Sequence, residues 1–409
     1  MKRVAVTGMG AVTPVGNSTE AFWENITNGV CGIKPITRFD ASDFKAKLAG
    51  EVKDFDPKDY MEKAEVRRTE LFSQYADAAA LQAIEDSGLI DNVAPERLGV
   101  YFGSGTGGFS TFMQEHTNLI NRGPLRVSPM FVPKMISNIA AGNIAIRFNA
   151  KGPCISITTA CATSSSCIGE AYRAIKHGYA DAIIAGGSEA TINPLAVAGF
   201  INCMALTECE DETCASIPFD KRRSGFVMGE GAGALILEEY EHAKNRGAKI
   251  YCEITGYGST CDAYHVTAPD PDGEGGARAI KESIEESGAG ECTGIYINAH
   301  GTSTPLNDKT ETLAIKKALG EKAYGVSISS TKSMTGHMLG AAGAVEAIAA
   351  INALRTGIIP PTIGYKEPDP DCDLNYTPNT AVKRDIELAL SIYLGFGGHN
   401  ACVAFKAVK

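Results

Sequence analysis

Three residues of this 409-residue chain have the type and setting for nucleophilic chemistry at a carbonyl: Cys161, His300 and His337. Cys161 lies in Thr158-Thr159-Ala160-Cys161-Ala162-Thr163-Ser164, where a β-branched run gives way to a small-residue helical run. A thiol at a helix N-terminus faces free N–H groups and the positive end of the helix dipole, so a lowered thiol pKa is expected there. Taken alone, these residues suit a nucleophile and a buried structural thiol equally well. His300 lies in Asn298-Ala299-His300-Gly301-Thr302-Ser303-Thr304-Pro305 and His337 ends Lys332-Ser333-Met334-Thr335-Gly336-His337. Each follows an apolar strand-like run, on the side where α/β sheets collect ligands. Two histidines at equivalent turns, together with a cysteine at a third, weigh toward one site. The turn Gly395-Phe396-Gly397-Gly398 offers backbone N–H groups that suit an oxyanion.

The elements that must position these residues repeat along the chain. Cys154–Thr159 reads as a buried strand, followed by a helix over Ser164–His177 that a glycine stops. Val326–Thr331 reads as a second strand, followed by a helix over Ala341–Arg355 with the same stop. The opening VAVTGMGAVTPVG is echoed by CEITGYGSTCDAYH, residues 252–265, each read as a strand entering a Gly-rich turn. Helical runs Ser73–Ser87, Arg278–Ser287 and Asp308–Leu319 alternate with strand runs Leu98–Phe102, Ala182–Ala185 and Gly294–Asn298. Two copies of one α/β unit, near residues 1–250 and 251–409, are expected, with mainly parallel sheets covered by helices.

Bulk composition narrows the function classes. Charged residues make up 21% and hydrophobic ones 44%, which suits a chain with large cores. A formal charge of −10 disfavours nucleic-acid binding through phosphate neutralisation. No apolar run is long enough to span a membrane, and the N-terminal apolar stretch is too short for a signal peptide, so a cytoplasmic protein is expected. The twelve cysteines form no CxxC pair, and Cys203, Cys209 and Cys214 have no histidine nearby, so no metal site is expected. Reduced thiols packed mostly as small core hydrophobes are the simpler reading. Gly8-Met9-Gly10 invites a dinucleotide-binding reading, but the third glycine is missing and Pro14 follows; a structural turn is expected instead.

Seven ordered blocks then carry a family resemblance. They are TGMGAVTPVG, TTACATS around Cys161, AGGSEA, FVMGEGAGALILEEYEHAKNRGAKIY, NAHGTSTPLND, SSTKSMTGHMLGAAGAVEA and GFGGHN. Over nearly its whole length the chain resembles the elongating β-ketoacyl-acyl-carrier-protein synthases of the thiolase-fold superfamily, type II among them. The resemblance implies a thiolase-like fold, two duplicated α/β halves in a five-layer αβαβα arrangement. It implies decarboxylative Claisen condensation by a Cys–His–His set, which separates the chain from Cys–His–Asn condensing enzymes and from degradative thiolases.

Roles for further residues are implied in the same way. Cys161 would carry the acyl group, with the amides of Cys161 and Phe396 holding the oxyanion, while His300 and His337 would hold the enolate. Lys332 and Glu346 match a charged pair near the histidines, and Asp308 matches a supporting acid. Thr302 and Thr304 match contacts to the pantetheine arm, Phe396 a gating phenylalanine, and Phe200 and Thr106 positions along the acyl pocket. Substrates would arrive on the 4'-phosphopantetheine of acyl carrier protein, with no further cofactor. Because that partner is acidic, Lys63, Arg67, Arg68 and Arg126 are candidates for its docking patch, although Met204 stands where many relatives offer arginine. A homodimer is the family expectation. The chain departs from its relatives at Ile392-Tyr393-Leu394, where they usually read Asn-Ser-Phe, and at Thr106, where a larger apolar residue is common. These departures leave open a ketosynthase of a type II polyketide or polyene pathway. A non-catalytic chain-length-factor-like subunit is the other alternative, and the presence of Cys161 with both histidines argues against it.

Overall fold

The computed structural model describes residues 1–408. In chain order, the strands of its main sheet are β1 (Val4–Val12), β2 (Leu98–Gly103), β3 (Cys154–Ile155), β4 (Ala182–Glu189), β5 (Gly231–Glu239), β6 (Cys252–Cys261), β7 (Ile295–Asn298), β8 (Ser327–Ser329), β9 (Leu388–Gly395) and β10 (His399–Lys406). The helices that matter for the site are α1 (Leu71–Ser87), α2 (Ile139–Arg147), α3 (Thr163–Lys176), α4 (Glu274–Ser287), α5 (Pro305–Leu319) and α6 (Ala342–Thr356).

The ten strands run in the order β8-β7-β9-β10-β6-β1-β5-β4-β2-β3. Cut between β6 and β1, this order gives two five-stranded halves. Each reads third, second, fourth, fifth, first in its own chain order. Strand directions repeat as well: the first three pairs from each outer edge are parallel, parallel and antiparallel, and the innermost pair is antiparallel. The sheets are therefore mixed, not mainly parallel, because β5 and β10 return beside their neighbours in the opposite sense.

Helices α3 and α6 lie between the halves and pack on strands of both, while α1 and α2 cover one outer face and α4 and α5 the other. This is the five-layer αβαβα stack. Helix α6 is buried from Ala342 to Leu354, as a helix without a polar face must be. Small side chains let it sit close to α3, and at Gly343 a Cβ would overlap Ser165.

The echo between the first strands of the halves has a packing cause. Gly8 and Gly10 lie inside β1, and a Cβ on either would overlap a backbone oxygen of α1, that of Ala83 or Ala79. Gly256 and Gly258 lie inside β6 and meet α4 in the same way, at Ser283 and Ala279. Both glycine pairs thus belong to strands rather than to turns, and they permit a close helix-on-sheet approach.

Two further expectations change. Only Cys154–Ile155 of the expected strand pairs in the ladder; it forms an outer edge, and both residues are exposed. An edge strand has a neighbour on one side only, so its β-branched residues need not be buried. The cysteines are also less internal than expected: Cys161, Cys167, Cys252, Cys372 and Cys402 are buried, and the other seven are partly or fully exposed. No helix is long and apolar enough to cross a membrane among the described residues.

Candidate active site

Each of the three reactive side chains is held at the end of a strand by a strained or tightly bonded turn. Cys161 sits in a short 3₁₀ turn, Ala160–Ala162, that opens α3. Ala160 before it adopts φ of 50°, a left-handed conformation that is costly for a residue with a Cβ and tends to mark functional turns. The Thr163 hydroxyl accepts from the Thr159 amide at 2.9 Å and fixes the entry to the turn. From the other half, Gly395 at the end of β9 presses on this turn; a Cβ there would stand 3.0 Å from the Thr159 oxygen and 3.4 Å from the Cys161 nitrogen. The hairpin that follows brings the Phe396 amide to the Cys161 sulfur, where the amide of Cys161 itself also points.

His300 follows β7. Its amide and that of Gly301 donate to the two oxygens of Glu311 on α5, at 2.6 and 2.7 Å. Ser330 donates to the Gly301 carbonyl at 2.7 Å, which ties the loop to the end of β8. Burial pushes Glu311 up to about 8, against the pull of the two amides and Lys332.

His337 is pinned through its backbone. Its amide donates to Val227 O at 2.7 Å and its carbonyl accepts from Gly229 at 2.8 Å. Its Nδ1 accepts from the Leu339 amide at 3.2 Å, so the ring proton sits on Nε2, a buried atom with no partner among the described residues. The next turn is anchored by Glu189, whose Oε2 accepts from Gly340 at 3.0 Å and from Gly105 at 2.9 Å. Its other oxygen takes the Thr106 hydroxyl at 2.7 Å.

These turns converge. The Cys161 sulfur and one ring nitrogen from each histidine lie within 4.8 Å of one another. The imidazoles meet edge to face with centroids 5.2 Å apart. Burial and the nearby Lys332 charge hold both histidines well below the usual pKa of 6.5, so both are neutral. Lys332 stands behind them, fully buried, and donates to Glu346 at 2.6 Å.

The thiol differs from expectation. Burial pushes Cys161 up to about 11, and the Phe396 amide and Lys332 offset only part of that rise. Desolvation of the thiolate outweighs the helix terminus, so the resting group is a thiol that loses its proton as it reacts.

A cavity of about 440 Å³ opens onto the trio and connects it with the surface. Thr302 and Thr304 line it, their hydroxyls 2.9 Å apart. Thr106, Phe200 and Phe396 line it too, and Met204 stands at its rim, 89% exposed. Lys332, Glu346 and Asp308 do not reach the cavity. Asp308 is buried at the start of α5, where it accepts from the Phe219 amide at 2.8 Å. Lys63, Arg67 and Arg68 share one short exposed helix, Lys63–Arg68, and Arg126 lies on a separate exposed turn.

Sequence reasoning passed over Glu189, Glu311 and Tyr393. The first stands inside the block AGGSEA and the second follows NAHGTSTPLND by three residues, so block membership was the available signal. Tyr393 is buried against His300, with ring centroids 5.2 Å apart.

Residues 1–243 match the family model described as Beta-ketoacyl synthase, N-terminal domain, and residues 251–366 match Beta-ketoacyl synthase, C-terminal domain. Among curated proteins, 3-oxoacyl-[acyl-carrier-protein] synthase 2 of a Synechocystis strain is 51% identical over 99% of this chain and 98% of its own length. The protein of the same name from Staphylococcus aureus is 49% identical with the same coverage. Among solved structures, a β-ketoacyl synthase from Burkholderia phymatum superposes with a TM-score of 0.92 at 33% identity, covering all of both chains. A type II polyketide ketosynthase, solved with its acyl-carrier protein and bound to a hexaketide, gives the same TM-score and coverage at 36% identity. The chain belongs to the β-ketoacyl synthase family.

Proposed function

We propose that the protein is a 3-oxoacyl-acyl-carrier-protein synthase of the elongating type, acting in fatty acid synthesis. The observation that carries this reading is the convergence of the Cys161 sulfur with two neutral imidazoles, while two backbone amides point at the sulfur.

In the first half-reaction Cys161 attacks the thioester carbonyl of an acyl-carrier protein. A bond forms from its sulfur to the acyl carbon, and the bond to the pantetheine sulfur breaks. The pantetheine thiolate leaves and takes up the proton that Cys161 gives up. The tetrahedral oxyanion lies against the amides of Cys161 and Phe396; one such donor is typically worth about 3–4 kcal/mol in the transition state. In the second half-reaction malonyl-carrier protein enters past Thr302 and Thr304 and loses carbon dioxide. The electron pair left behind makes an enolate, whose oxygen is held by His337 Nε2–H and by His300. Neutral imidazoles suit this task, because they donate without first surrendering a proton to solvent. The enolate carbon then attacks acyl-Cys161, the new carbon–carbon bond forms, and the cysteine sulfur departs.

The halves 1–250 and 251–409 are read as copies of one unit, the first supplying Cys161 and the second both histidines. Lys332 and Glu346 set the charge behind the histidines, and Asp308 braces α5. Phe396 gates the acyl channel that Phe200 and Thr106 line. Lys63, Arg67, Arg68 and Arg126 receive the acidic carrier protein, and no cofactor beyond its pantetheine arm takes part. A cytoplasmic homodimer is the working assembly, and the exposed edge of β3 is a surface on which a second copy can extend the sheet.

The test is mass spectrometry of the protein after incubation with saturated acyl-carrier proteins of medium and long chain, then with malonyl-carrier protein. The expected result is an acyl adduct on Cys161 that disappears as β-ketoacyl product forms. Absence of any adduct with saturated chains, and its appearance with polyunsaturated ones, would favour a polyketide or polyene ketosynthase. Tyr393 and Thr106 near the acyl site are the observations that keep this second reading in view.

A further inference from the structure

Tyr393 is a fully buried residue of β9 that touches three parts of the site at once. Its hydroxyl donates to Oε2 of Glu346, while Oε1 of the same carboxylate accepts from Lys332 at 2.6 Å. The Lys332 ammonium lies over its ring, 4.7 Å from the centroid. The edge of that ring lies against His300. Two residues further on, Gly395 braces the Cys161 turn. None of Tyr393, Glu346 and Lys332 lines the cavity, so none is positioned to meet substrate directly.

A carboxylate with no water around it needs a donor for each oxygen, and a half-satisfied buried network is costly. Glu346 finds its two donors in Lys332 and Tyr393, which stand on separate elements. The lysine side is an ion pair, and the tyrosine side is what closes the network. Aromatic side chains have few rotamers, so a tyrosine held in β9 is a stiff prop for this task.

We propose that Tyr393 is a positioning residue for the condensation step: its hydroxyl holds Glu346 so that the ionised Glu346–Lys332 pair stays seated behind His300 and His337. This rests on the condensing function proposed above and adds to it a residue acting through others. The groups that face the tyrosine and its carboxylate are Lys332, His300, His337, Cys161, Glu311 and Tyr296. Removing the hydroxyl takes one donor from Glu346, and burial already pushes that carboxyl up. Protonation of Glu346 then comes at higher pH, and with it the loss of the seated pair.

The experiment compares the parent enzyme with Tyr393→Phe, which keeps the ring, and with Glu346→Gln and the double variant. Acylation of Cys161 by acyl-carrier protein, and condensation with malonyl-carrier protein, are followed separately across pH. In Tyr393→Phe, acylation is expected to stay within about twofold while kcat for condensation falls by about 10- to 100-fold, the scale of a small displacement of reacting groups. The KM for malonyl-carrier protein is expected to hold, and the acid limb of condensation to move to higher pH. The double variant is expected to be no worse than Glu346→Gln alone, because both act on one network. Equal loss in both half-reactions, additive losses, or an unmoved acid limb would overturn the proposal. Should Tyr393→Phe fold poorly, 3-fluorotyrosine at position 393 keeps the shape and strengthens the donor; a condensation limb indifferent to that change would overturn it equally. Failure of the parent to acylate or condense would instead strike the condensing reading itself.

Discussion

The amide of Leu339 donates to Nδ1 of His337 across 3.2 Å, and Leu339 adopts φ of 45° in the same turn. The bond selects one tautomer of His337 and leaves the proton on the nitrogen that faces Cys161. His337→Gln can place an amide N–H near the Nε2 position, whereas His337→Asn reaches only as far as Nδ1. Malonyl decarboxylation should therefore survive better in the glutamine variant. The asparagine variant should lose about 100-fold or more, the scale of one oxyanion donor. Rates of carbon dioxide release by the two purified proteins decide the matter.

Both histidines are held neutral, and this links stability to pH. In the unfolded chain they titrate near 6.5, whereas the folded chain resists their protonation. Their stabilising contribution is thus present above about pH 6.5 and is lost as pH falls below it. Each buried histidine steepens the decline by up to about 1.4 kcal/mol per pH unit. Urea unfolding between pH 7.5 and 5.5 should give a steeper loss for the parent than for a His300→Asn/His337→Asn variant. Parallel slopes would count against the neutral pair.

What could be read in the sequence was local chemistry. Cys161, His300 and His337 stood at strand-end turns recognisable from β-branched runs and glycine stops, and α3 and α6 begin and end within a residue or so of the expected places. What escaped was set by distance and depth. Gly8 and Gly256 looked like turn residues because glycine punctuates turns, and only the approach of α1 and α4 explains them inside strands. The helix terminus at Cys161 was visible, but the burial that outweighs it was not. Tyr393 and Glu346 are 47 residues apart, and no local pattern joins them.

Those strand glycines give a stability prediction. Gly10→Ala and Gly258→Ala each drive a methyl into a helix carbonyl, at equivalent places in the two halves. Each should destabilise by at least about 1–3 kcal/mol, the usual range for overpacking, because backbone rather than a side chain must move. Gly290→Ala, which meets nothing nearby, is the matched control and should leave the denaturation midpoint almost unchanged.

Glu311 makes a sharper case, because it acts on one loop. Its two oxygens accept from His300 and Gly301. In Glu311→Gln one oxygen becomes an NH₂ group that faces an N–H, so a buried donor loses its acceptor at a cost of about 1–3 kcal/mol. The expected result is a lower urea midpoint together with a condensation rate that falls more than Cys161 acylation does, because His300 shifts and Cys161 does not. Equal loss in the two half-reactions would mean that Glu311 merely supports the fold.

The exposed cations allow the carrier-protein surface to be tested apart from the chemistry. Lys63, Arg67 and Arg68 lie together on the helix Lys63–Arg68, and Arg126 lies on its own turn. Exposed charges act over about 8–10 Å at ordinary salt, and they influence encounter more than the reacting groups. Reversal to glutamate at Arg67 and Arg68 should therefore raise the KM for acyl-carrier protein several-fold and flatten its dependence on salt. Turnover of a small acyl thioester that lacks the carrier should stay at the parental rate. Arg126→Glu, tested alone, shows whether the surface extends beyond the helix: a raised KM includes that turn, and an unchanged one restricts docking to the helix. If the double reversal leaves KM and its salt dependence as in the parent, the carrier protein approaches the cavity from another side, and the cations flanking Met204 become the ones to reverse.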